Sequence, residues 1–311
     1  MVGSIVNEEG ILVPSSRPEL RRGGGLRALV LTYRRPREAT LTVRHLVDAE
    51  GFAPWEILLV INAEGGLEDP ELTASVPVLV LPENRGPAGG FRAGLERLAV
   101  DKAVDWVYVC EDDAGQLSLP SPRVGELRLL AEERETNGAR VGAIVAYGRT
   151  LDRRSGLTRP HIPDHTGPRL QQTDVAAWGS TLVSGRALRS GILPDPAWFF
   201  GYEDFDFFLS LSAEGFEVLL DREAAVAVQN DRLHGYDVKR NLEPWRSFYA
   251  TRNFLELRRR HGHVGWTVTH LVKSARRARL SSTAEGRRAI LRGLFHGFRG
   301  QLGRDQTSKG L

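Results

Sequence analysis

Residues 105–115 read Asp-Trp-Val-Tyr-Val-Cys-Glu-Asp-Asp-Ala-Gly, an apolar run that ends abruptly in three carboxylates. A short run of this kind is typical of a strand buried on both faces of a parallel sheet. Placing Glu111, Asp112 and Asp113 side by side is unfavourable unless water solvates them or a cation neutralises them. Hard cations such as Mg²⁺ and Mn²⁺ favour oxygen ligands. The segment therefore predicts a buried strand followed either by a divalent-metal site or by a solvated acidic turn.

Apolar runs alternate with helical patterns on the N-terminal side of this segment. Residues 26–33, 55–62 and 76–81 read as further strands, and residues 36–50 and 88–100 carry apolar side chains at helical spacing. Strands that are apolar throughout and alternate with helices indicate a parallel sheet covered on both faces. The ligand of such a sheet binds at the carboxyl ends of its strands. The sequence therefore predicts an α/β nucleotide-binding half that includes the acidic triplet.

The chain is less regular beyond this half. The elements expected there are a loop at 160–168, a strand leading into a helix at 176–188, a helix at 205–214, short strands at 218–221 and 226–228, and arginine-rich helices from Glu256 onward.

The formal net charge of +3 hides an uneven distribution. Residues 256–311 contain 13 Lys and Arg against 3 Asp and Glu, so this segment carries +10 and the first 255 residues sum to −7. An acidic body suits a metal-binding cleft, and a basic tail suits phosphates or an anionic membrane surface. The ordinary hydrophobic share of 41% and the single cysteine exclude a disordered chain, a disulfide framework and a cysteine-based zinc site. Because no apolar run approaches the ~18–20 residues of a membrane span and no signal-peptide core begins the chain, we expect a cytoplasmic protein.

A glycine-rich segment, residues 83–91, lies between the third strand and its helix. Its glycines allow a close backbone approach, and Arg85 could pair with a phosphate. The segment is not the dinucleotide fingerprint, because it follows the third strand and lacks that spacing. The alternative is a tight turn with close helix packing.

Acidic residues stand among aromatic ones in residues 198–208, where Glu203 and Asp204 open a predicted helix. Carboxylates at a helix start can serve as caps. In an apolar, partly dry pocket, a carboxylate is also suited to removing a proton from an acceptor hydroxyl, and general base catalysis typically contributes ~10²–10⁴ in rate. Asp206 faces elsewhere, and we expect a structural role for it.

Three of the eight histidines, His161, His165 and His234, fall in the loop-rich part of the chain. His234 follows the predicted strand at 226–228, and it either completes a metal shell or is simply solvated. Cys110 is expected to be a small buried residue, because no histidine or asparagine stands near it to support a thiol mechanism.

The order of these segments resembles that of the inverting family 2 glycosyltransferases, which have the GT-A fold. Within that family it is most similar to the actinobacterial galactofuranosyl- and rhamnosyltransferases that act on polyprenol-linked glycans. The resemblance covers roughly residues 26–260. It is carried by five segments: 29–36, similar to the family's first strand and nucleotide-binding turn; 84–90, like its Asn-x-Gly-x-x-Gly-Gly segment; 105–113, like its Asp-x-Asp strand; 200–206, like its Glu-Asp catalytic motif; and 244–253, like its Tyr-x-x-Arg-Asn segment.

The resemblance implies a GT-A type nucleotide-sugar-binding fold with a mostly parallel central sheet and a helical C-terminal extension. It makes Asp204 the catalytic base with Glu203 beside it, and Asp113 the first ligand of Mg²⁺ or Mn²⁺. Glu111 stands where the family has the first acid of its metal motif, and His234 is the candidate for a downstream metal ligand. The implied donor-binding residues are Thr32, Tyr33, Arg35, Asn62, Asn84, Arg85, Gly86, Gly89, Gly90, Glu111 and Asp112. The implied acceptor or sugar pocket consists of Trp178, Gly179, Tyr202 and Arg252.

One position departs from the family pattern. After the second strand the family usually has Asp-Asn, with the aspartate reading the uracil edge, and this chain has Ile61-Asn62. An isoleucine cannot accept a base N–H, so another group, such as Glu64 or the backbone, must read the base. Both UDP and dTDP donors therefore stay open.

The implied reaction moves a galactofuranose- or rhamnose-like sugar from a nucleoside-diphosphate sugar to an acceptor hydroxyl by a metal-assisted single displacement. We expect the acceptor to be a lipid-linked (polyprenol) or cell-envelope glycan. Two alternatives stay open, namely a soluble glycosyltransferase that decorates a small-molecule natural product and an inactive sugar-nucleotide-binding or scaffold protein. No nucleic-acid recognition motif accompanies the basic charge.

The predicted organisation is a flexible leader at 1–25, a catalytic domain at 26–255 and a basic helical extension at 256–311. The catalytic domain divides into a nucleotide-binding half at 26–115 and an acceptor half at 116–255. Amphipathic basic helices lie on anionic membranes, so the extension favours a peripheral position on the inner face of the plasma membrane. Packing against the body, or use in a homodimer, is the alternative.

Overall fold

The structure, a computed structural model, describes residues 4–6, 12–14, 25–114, 119, 123–234 and 243–305, and for 4–6, 12–14 and 230–234 it describes the backbone alone. The strands are β1 (Ser4–Val6), β2 (Leu12–Pro14), β3 (Leu26–Thr32), β4 (Ile57–Asn62), β5 (Val78–Leu81), β6 (Trp106–Glu111), β7 (Val141–Val145), β8 (Gly148–Leu151), β9 (Thr158–Pro160), β10 (Leu170–Gln172), β11 (Val175–Ala176), β12 (Thr181–Ser184) and β13 (Glu217–Asp221). The helices are α1 (Pro36–Asp48), α2 (Pro70–Ser75), α3 (Gly86–Ala99), α4 (Val124–Thr136), α5 (Gly185–Arg189), α6 (Glu203–Ala213), α7 (Arg222–His234), α8 (Pro244–His261), α9 (Val264–Leu280) and α10 (Ala284–Phe298).

The main sheet of the described chain has eight strands in the order β10-β13-β7-β12-β6-β3-β4-β5. Four of its seven neighbouring pairs are parallel, including the continuous set β6-β3-β4-β5. Strands β3, β4 and β6 are buried along almost their whole length, as expected for a sheet with helices on both faces. The predicted α/β class, with a mostly parallel central sheet and a helical C-terminal part, is therefore confirmed.

The carboxyl ends of β3, β4 and β6 lie side by side. Leu31 of β3 is level with Glu111 of β6, and Thr32 of β3 is level with Ile61 of β4. Strand β12 runs antiparallel to β6 and begins opposite Val109, so the residues that precede β12 reach the same end of the sheet. Four loops that carry predicted site residues therefore converge there.

Helices on both faces hold these loops in place. Leu29 and Leu31 lie in one hydrophobic cluster with Phe91 of α3, while Val30 lies in the other with Leu46 of α1. Successive strand residues point to opposite faces, so the apolar run of β3 supplies both clusters. Because α1 follows the β3 loop and α3 follows the β5 loop, this packing fixes the N-terminal turns of both helices beside the site.

Helices α8, α9 and α10 pack together at the C-terminal side. The middle of α8 is buried, and Gly293 of α10 lies against the backbone of Phe248 in α8. The predicted domain boundary between residues 255 and 256 falls inside α8, so one continuous helix crosses it. Across the residues that the structure describes, none of the helices combines the length and apolar character that a membrane span needs.

Two local expectations differ from the structure. Residues 226–228 were expected to form a strand, and this prediction is wrong because they lie within α7. The alternating Val226 and Val228 suit a strand, but the alanines between and before them are strong helix formers. Within the predicted leader, β1 and β2 pair as antiparallel strands, and the remaining residues up to 24 lie outside the described part of the chain.

Candidate functional site

The acidic loop after β6 is held against the loop between β3 and α1. Thr32 Oγ1 donates to Asp112 Oδ2 (3.0 Å), and Thr42 Oγ1 donates to the Asp112 carbonyl oxygen (2.7 Å). Arg35 Nη1 donates both to Asp112 Oδ1 (2.7 Å) and to Asp113 Oδ2 (3.2 Å). Asp112 is only 5% exposed, whereas the Asp113 carboxylate remains open to solvent. Asp112 therefore anchors the loop, and Asp113 is the acid that a ligand can reach.

Glu111 ends β6, and its side chain is exposed to solvent. Partial loss of hydration among the surrounding protein atoms, together with the negative charges of Asp113, Asp204 and Asp112, raises the pKa of Glu111 to about 7. Burial also raises the pKa of Asp112 to about 6, and the positive charge of Arg35 acts against that rise. These three acids thus carry more negative charge than Arg35 offsets.

A second pair of acids opens helix α6. Tyr202 precedes the helix with a left-handed φ of 70°, a conformation that is uncommon for a residue with a side chain. Asp204 Oδ1 accepts a hydrogen bond from the Phe205 N–H (2.8 Å). Glu203 is 5% exposed, and its Oε2 has no hydrogen-bond partner in the described structure. An unpartnered carboxylate oxygen at this depth marks Glu203 as a candidate for contact with a ligand.

The two acidic segments act on each other electrostatically. Burial raises the pKa of Asp204 to about 7, although the backbone N–H groups at the helix start and the charge of Arg149 act against the rise. Burial, reinforced by the charges of Asp204 and Glu111, raises the pKa of Glu203 well above its ordinary value. The structure therefore brings residues 111–113 and residues 203–204 to one site, although 90 residues separate the segments in the sequence.

Asp206 belongs to a different network. It accepts hydrogen bonds from Trp198 Nε1 (3.0 Å) and Arg260 Nη1 (3.1 Å), and its Oδ1 lies 2.8 Å from His261 Nε2. The carboxylate joins α6 to α8, which is the structural role expected from its position in the sequence.

The glycine-rich segment is tied to β4 and to the chain before α6. Asn62 Nδ2 donates to Asn84 Oδ1 (3.0 Å), and Asn62 Oδ1 accepts from the Arg85 N–H (2.8 Å). Gly86 has a φ of +66°, and a Cβ atom there would overlap the carbonyl oxygen of Phe199. Both asparagines are buried and bonded within this turn, so they shape it, and their role in donor binding stays a prediction.

Close packing explains the other two glycines of the segment. A Cβ atom on Gly89 would overlap the side chain of Arg85, and one on Gly90 would overlap Leu31 of β3. This supports the alternative interpretation of the segment as a tight turn with close helix packing. Arg85 itself is exposed at the start of α3, where it stays a candidate for a phosphate contact.

The segment before β12 contributes a buried indole. Trp178 packs against Phe91 and Phe207, with both ring centroids 4.9 Å away, and it is 3% exposed. Its Nε1 has no hydrogen-bond partner in the described structure. Gly179 follows, beside the ring of Tyr147. Because an unpaired buried N–H costs ~1–3 kcal/mol, Trp178 is a candidate to donate a hydrogen bond to a ligand.

Two predicted pocket residues have different surroundings. Arg252 is 1% exposed and donates to the carbonyl oxygens of Trp198 (2.9 Å) and Gly303 (2.6 Å). It fastens the chain before α6 to the C-terminal segment, and its place in the acceptor pocket stays a prediction. Tyr202 is half-buried beside the two acids, and its ring meets Phe254 edge-on at 5.6 Å.

The candidate base reader Glu64 is already engaged. It forms an exposed ion pair with Arg34 at 2.8 Å, and that guanidinium lies 5.0 Å from the ring centroid of Tyr33. Ile61 is buried at the end of β4. Glu64 is therefore occupied by Arg34, beside the ring of Tyr33.

Of the three predicted metal ligands, the structure describes the side chains of two, Glu111 and Asp113. Asp113 and Glu111 lie on one loop, whereas the side chain of His234, at the end of α7, falls outside the described residues. In the described ranges, no group of three or more His, Cys, Asp or Glu side chains is arranged around a metal position. Cys110 is buried at the end of β6, and burial raises the pKa of its thiol, which agrees with the expected unreactive role.

The sequence reasoning missed Arg149 of β8. Its Nε donates to Thr158 Oγ1 (2.9 Å), and its positive charge acts on Asp204. A lone arginine in a four-residue strand carries no signal that could have identified it.

Comparisons with known proteins give only distant likenesses. No protein-family model and no curated protein matches the chain. One similar solved structure is GalNAc-T7 with UDP, GalNAc and Mn²⁺, at 12% identity and a TM-score of 0.49, covering 63% of this chain and 42% of that chain. Another is the mannosyltransferase PcManGT from Pyrobaculum calidifontis in complex with GDP-Man and Mn²⁺, at 11% identity and a TM-score of 0.41, covering 89% of this chain and 88% of that chain. The chain thus spans less than half the length of the first of these, and at such scores neither likeness determines its activity.

Proposed function

We propose that this protein is a GT-A type glycosyltransferase that moves a sugar from a nucleoside-diphosphate sugar to an acceptor hydroxyl with inversion at the anomeric carbon. The observation that carries the proposal is the meeting of the acids at 111–113 with those at 203–204. Transfer in one displacement requires cationic neutralisation of the leaving diphosphate and a base beside the acceptor. Two acidic groups that differ in exposure and partners suit these two tasks.

The loop at 111–113 is the proposed donor side. Excess negative charge and accessible carboxylate oxygens fit a hard divalent cation, so Asp113 with Glu111 would hold Mg²⁺ or Mn²⁺. When bound, such a cation stabilises the charge that develops on the leaving diphosphate. Arg35 lies against the same carboxylates and can turn one face of its guanidinium to phosphate oxygens. Asp112 keeps the loop in position through Thr32.

The pair at the start of α6 is the proposed acceptor side. A pKa of about 7 matches Asp204 to the removal of a proton near neutral pH, because a general base works best when its pKa is close to the working pH. Burial and the negative charges of Asp204 and Glu111 raise the pKa of Glu203 and so favour its protonated form. A protonated Glu203 can donate a hydrogen bond from its carboxyl group to the ligand. Asp204 would take the acceptor proton while the hydroxyl oxygen attacks the anomeric carbon.

The proposed donor nucleotide, sugar and acceptor rest on the resemblance of the sequence motifs to those of family 2 glycosyltransferases. We propose a UDP or dTDP donor that carries a galactofuranose- or rhamnose-like sugar, with Trp178 in the sugar pocket. The proposed acceptor is a lipid-linked or cell-envelope glycan. Transfer to a diffusible small molecule is the rival assignment, and glycosylation of such an acceptor without detergent or lipid would favour it.

A peripheral position on an anionic membrane is proposed from the surface of the C-terminal helices. Large apolar side chains are exposed along α9 and α10, namely Val264, Val268, Leu271, Val272, Leu280, Leu291, Phe295 and Phe298. Arg276, Arg279 and Arg288 belong to the same two helices, and basic amphipathic helices bind anionic bilayers. Flotation with anionic but not neutral vesicles is the expected result. A concentration-dependent homodimer without vesicle binding would assign the face to a second copy instead.

A screen of sugar nucleotides tests the proposed activity. The purified protein is incubated with UDP-galactofuranose, dTDP-rhamnose and other nucleoside-diphosphate sugars in the presence of Mg²⁺ or Mn²⁺. We expect metal-dependent release of the nucleoside diphosphate from one class of donor. Binding of donors without any release or transfer would instead favour a silent sugar-nucleotide-binding protein.

A further inference from the structure

The chain turns sharply at Phe199, shortly before α6 begins. Phe199 has a φ of 62° and a ψ of −62°, and the Phe200 N–H donates to the Trp198 carbonyl oxygen (2.8 Å). These angles and this bond define a γ-turn of the rare, strained type. Gly201 and Tyr202 follow with φ of 79° and 70°. The 198–202 turn is therefore strained, because side chains as bulky as those of Phe199 and Tyr202 rarely accept a positive φ.

Asn253 of α8 holds this turn by its backbone. The side chain is 0% exposed, and its Nδ2 donates to the carbonyl oxygens of Trp198 (3.1 Å), Phe200 (2.9 Å) and Gly201 (2.8 Å). Arg252 Nε donates to Asn253 Oδ1 (2.7 Å), so the amide oxygen is engaged and the amide N–H groups face the turn. One buried amide thus binds carbonyl oxygens on both sides of the strained residue.

The side chains of the turn pack on the same face of α8. Phe199 stacks on Tyr249 at 5.3 Å, and Phe200 meets Trp245 edge-on at 4.8 Å. Strained backbone persists only where the surrounding structure over-determines it. Ring packing fixes the side chains of the turn, whereas the amide of Asn253 fixes its carbonyl groups.

The turn determines how α6 starts. Glu203 and Asp204 are the first two residues of α6, and Tyr202 directly precedes them. Only Tyr202 and Glu203 stand between Asp204 and Gly201, whose carbonyl oxygen Asn253 holds. The position of that carbonyl group therefore limits where the two acids can lie.

Positive φ is concentrated around the candidate site. Five described residues other than glycine have it, namely Arg34, Ala63, Ser180, Phe199 and Tyr202. The first two follow β3 and β4, the third precedes β12, and the last two precede α6. Strained residues of this kind cluster at active sites, where they fix the position of functional groups. The 198–202 turn belongs to this group by its location.

We propose that Asn253 is a positioning residue, which holds the 198–202 turn so that Glu203 and Asp204 are kept in the candidate site. The assignment rests on the proposed function, in which Asp204 takes the acceptor proton, and it adds the residue that places this base. Asn253 acts through the turn and not by contact with a substrate.

A double-mutant cycle between Asn253 and Asp204 tests the proposal without relying on activity. Burial raises the pKa of Asp204, so D204N should raise the thermal midpoint at pH 8. When Asn253→Ala releases the turn, Asp204 can reach water and its charge no longer carries this penalty. We expect N253A to reduce the rise that D204N gives to less than half. Asn253→Leu fills the same space without a donor, and it replaces N253A in the cycle if the alanine variant does not fold.

Tyr249→Phe is the matched control on the same face of α8. Tyr249 is also 0% exposed, and its hydroxyl accepts from the Asp305 N–H (2.8 Å) of the C-terminal segment. Phenylalanine keeps the ring that stacks on Phe199. Y249F thus loses a buried hydrogen bond near the turn but none of the bonds from Asn253, and we expect the full D204N rise in its background.

Kinetics supply a second measurement. N253A should lower kcat for transfer roughly tenfold or more while the KM for the donor changes far less, because a misplaced base slows the chemical step and leaves the loop at 111–113 intact. An undiminished D204N rise in N253A, an equal reduction in Y249F, or an unchanged kcat in N253A overturns the proposal. A wild type that transfers no sugar refutes the proposed glycosyltransferase instead, and the cycle, which needs no turnover, still shows whether Asn253 positions Asp204.

Discussion

Replacing Asp204 by asparagine is expected to abolish sugar transfer and at the same time to raise the thermal stability of the protein. The two effects have one cause, because the carboxylate proposed as the base is held in surroundings that disfavour its charge. Asparagine keeps the shape and the hydrogen bond to the Phe205 N–H but carries no charge. Loss of a general base lowers the rate by ~10²–10⁴.

The size of the stability gain follows from the raised pKa. A change from 3.8 to about 7 corresponds to ~4 kcal/mol, at 1.36 kcal/mol per pKa unit. Because the charge of Asp204 also acts on Glu203, part of this penalty is shared, and we expect a gain of ~2 kcal/mol at pH 8. This is a rise of ~4 °C in the midpoint of thermal unfolding for a chain of this size.

The stability gain of D204N should depend on pH, in a direction that follows from the raised pKa of Asp204. The pKa of Asp204 is raised in the folded state, so its penalty is present above pH 7 and disappears as the pH falls towards the unfolded value near 4. The difference in midpoint between D204N and the wild type should therefore shrink from pH 8 to pH 4. Thermal melts at several pH values, together with donor-dependent transfer rates, measure both effects on the same samples.

Asp206→Asn is the matched control in the same helix. Asp206 is paired with Arg260 and His261 and accepts from Trp198, so removing its charge should lower the midpoint, at a cost of ~1.5–3 kcal/mol. Near-normal transfer by D204N would refute the assignment of the base. A midpoint that falls in D204N as it does in D206N would refute the reasoning about buried charge.

Four further predictions concern the rest of the chain. Gly86→Ala should destabilise the protein by ~1–3 kcal/mol, because φ is +66° and a Cβ atom would overlap the Phe199 carbonyl; chemical denaturation measures the loss. Asp221→Asn should cost ~3–5 kcal/mol by the same assay, since it leaves the buried guanidinium of Arg123, 3.1 Å away, without its charge partner. Trp178→Phe removes the unpaired N–H together with part of a buried ring, so it should lower the thermal midpoint through the cavity it leaves and weaken donor binding ~10-fold in fluorescence titration. EDTA should abolish transfer, and added Mn²⁺ or Mg²⁺ should restore it; transfer that persists in EDTA would contradict metal dependence.

The N-terminal half of the sheet could be predicted because its signals are local. Strand β6 was expected at 105–110 and runs from Trp106 to Glu111, and the runs that gave β3 and β4 are similarly continuous. A strand buried on both faces needs an uninterrupted apolar run, which few other structures require. The acidic end of the β6 run then indicated part of the candidate site.

The second half gave weaker signals because its strands are short and pair at a distance. Strand β8 has four residues and pairs with β9 on one side and with the two residues of β11 on the other. Periodicity cannot be recognised over so few residues, since their pairing depends on the folded sheet. Helix α4 also escaped prediction, because its apolar side chains mark no clear face.

Polar residues were hardest to interpret. Asn62 and Arg252 stand in motifs that resemble ligand-binding segments, yet both are buried and bonded to the protein's own backbone. A sequence shows that a polar residue is present but not whether its partner is a ligand or a carbonyl group. Arg149 shows the opposite case, in which a residue without a motif acts on the proposed base.

The most direct test of the proposed mechanism is the configuration of the sugar that the protein first releases from a donor. Proton NMR at early times, during metal-dependent hydrolysis of the preferred donor with water as acceptor, shows the anomeric proton before the free sugar equilibrates. A single displacement with Asp204 as base predicts inverted configuration in the wild type and no release above background in D204N. Retained configuration, or equal release by D204N, would contradict it.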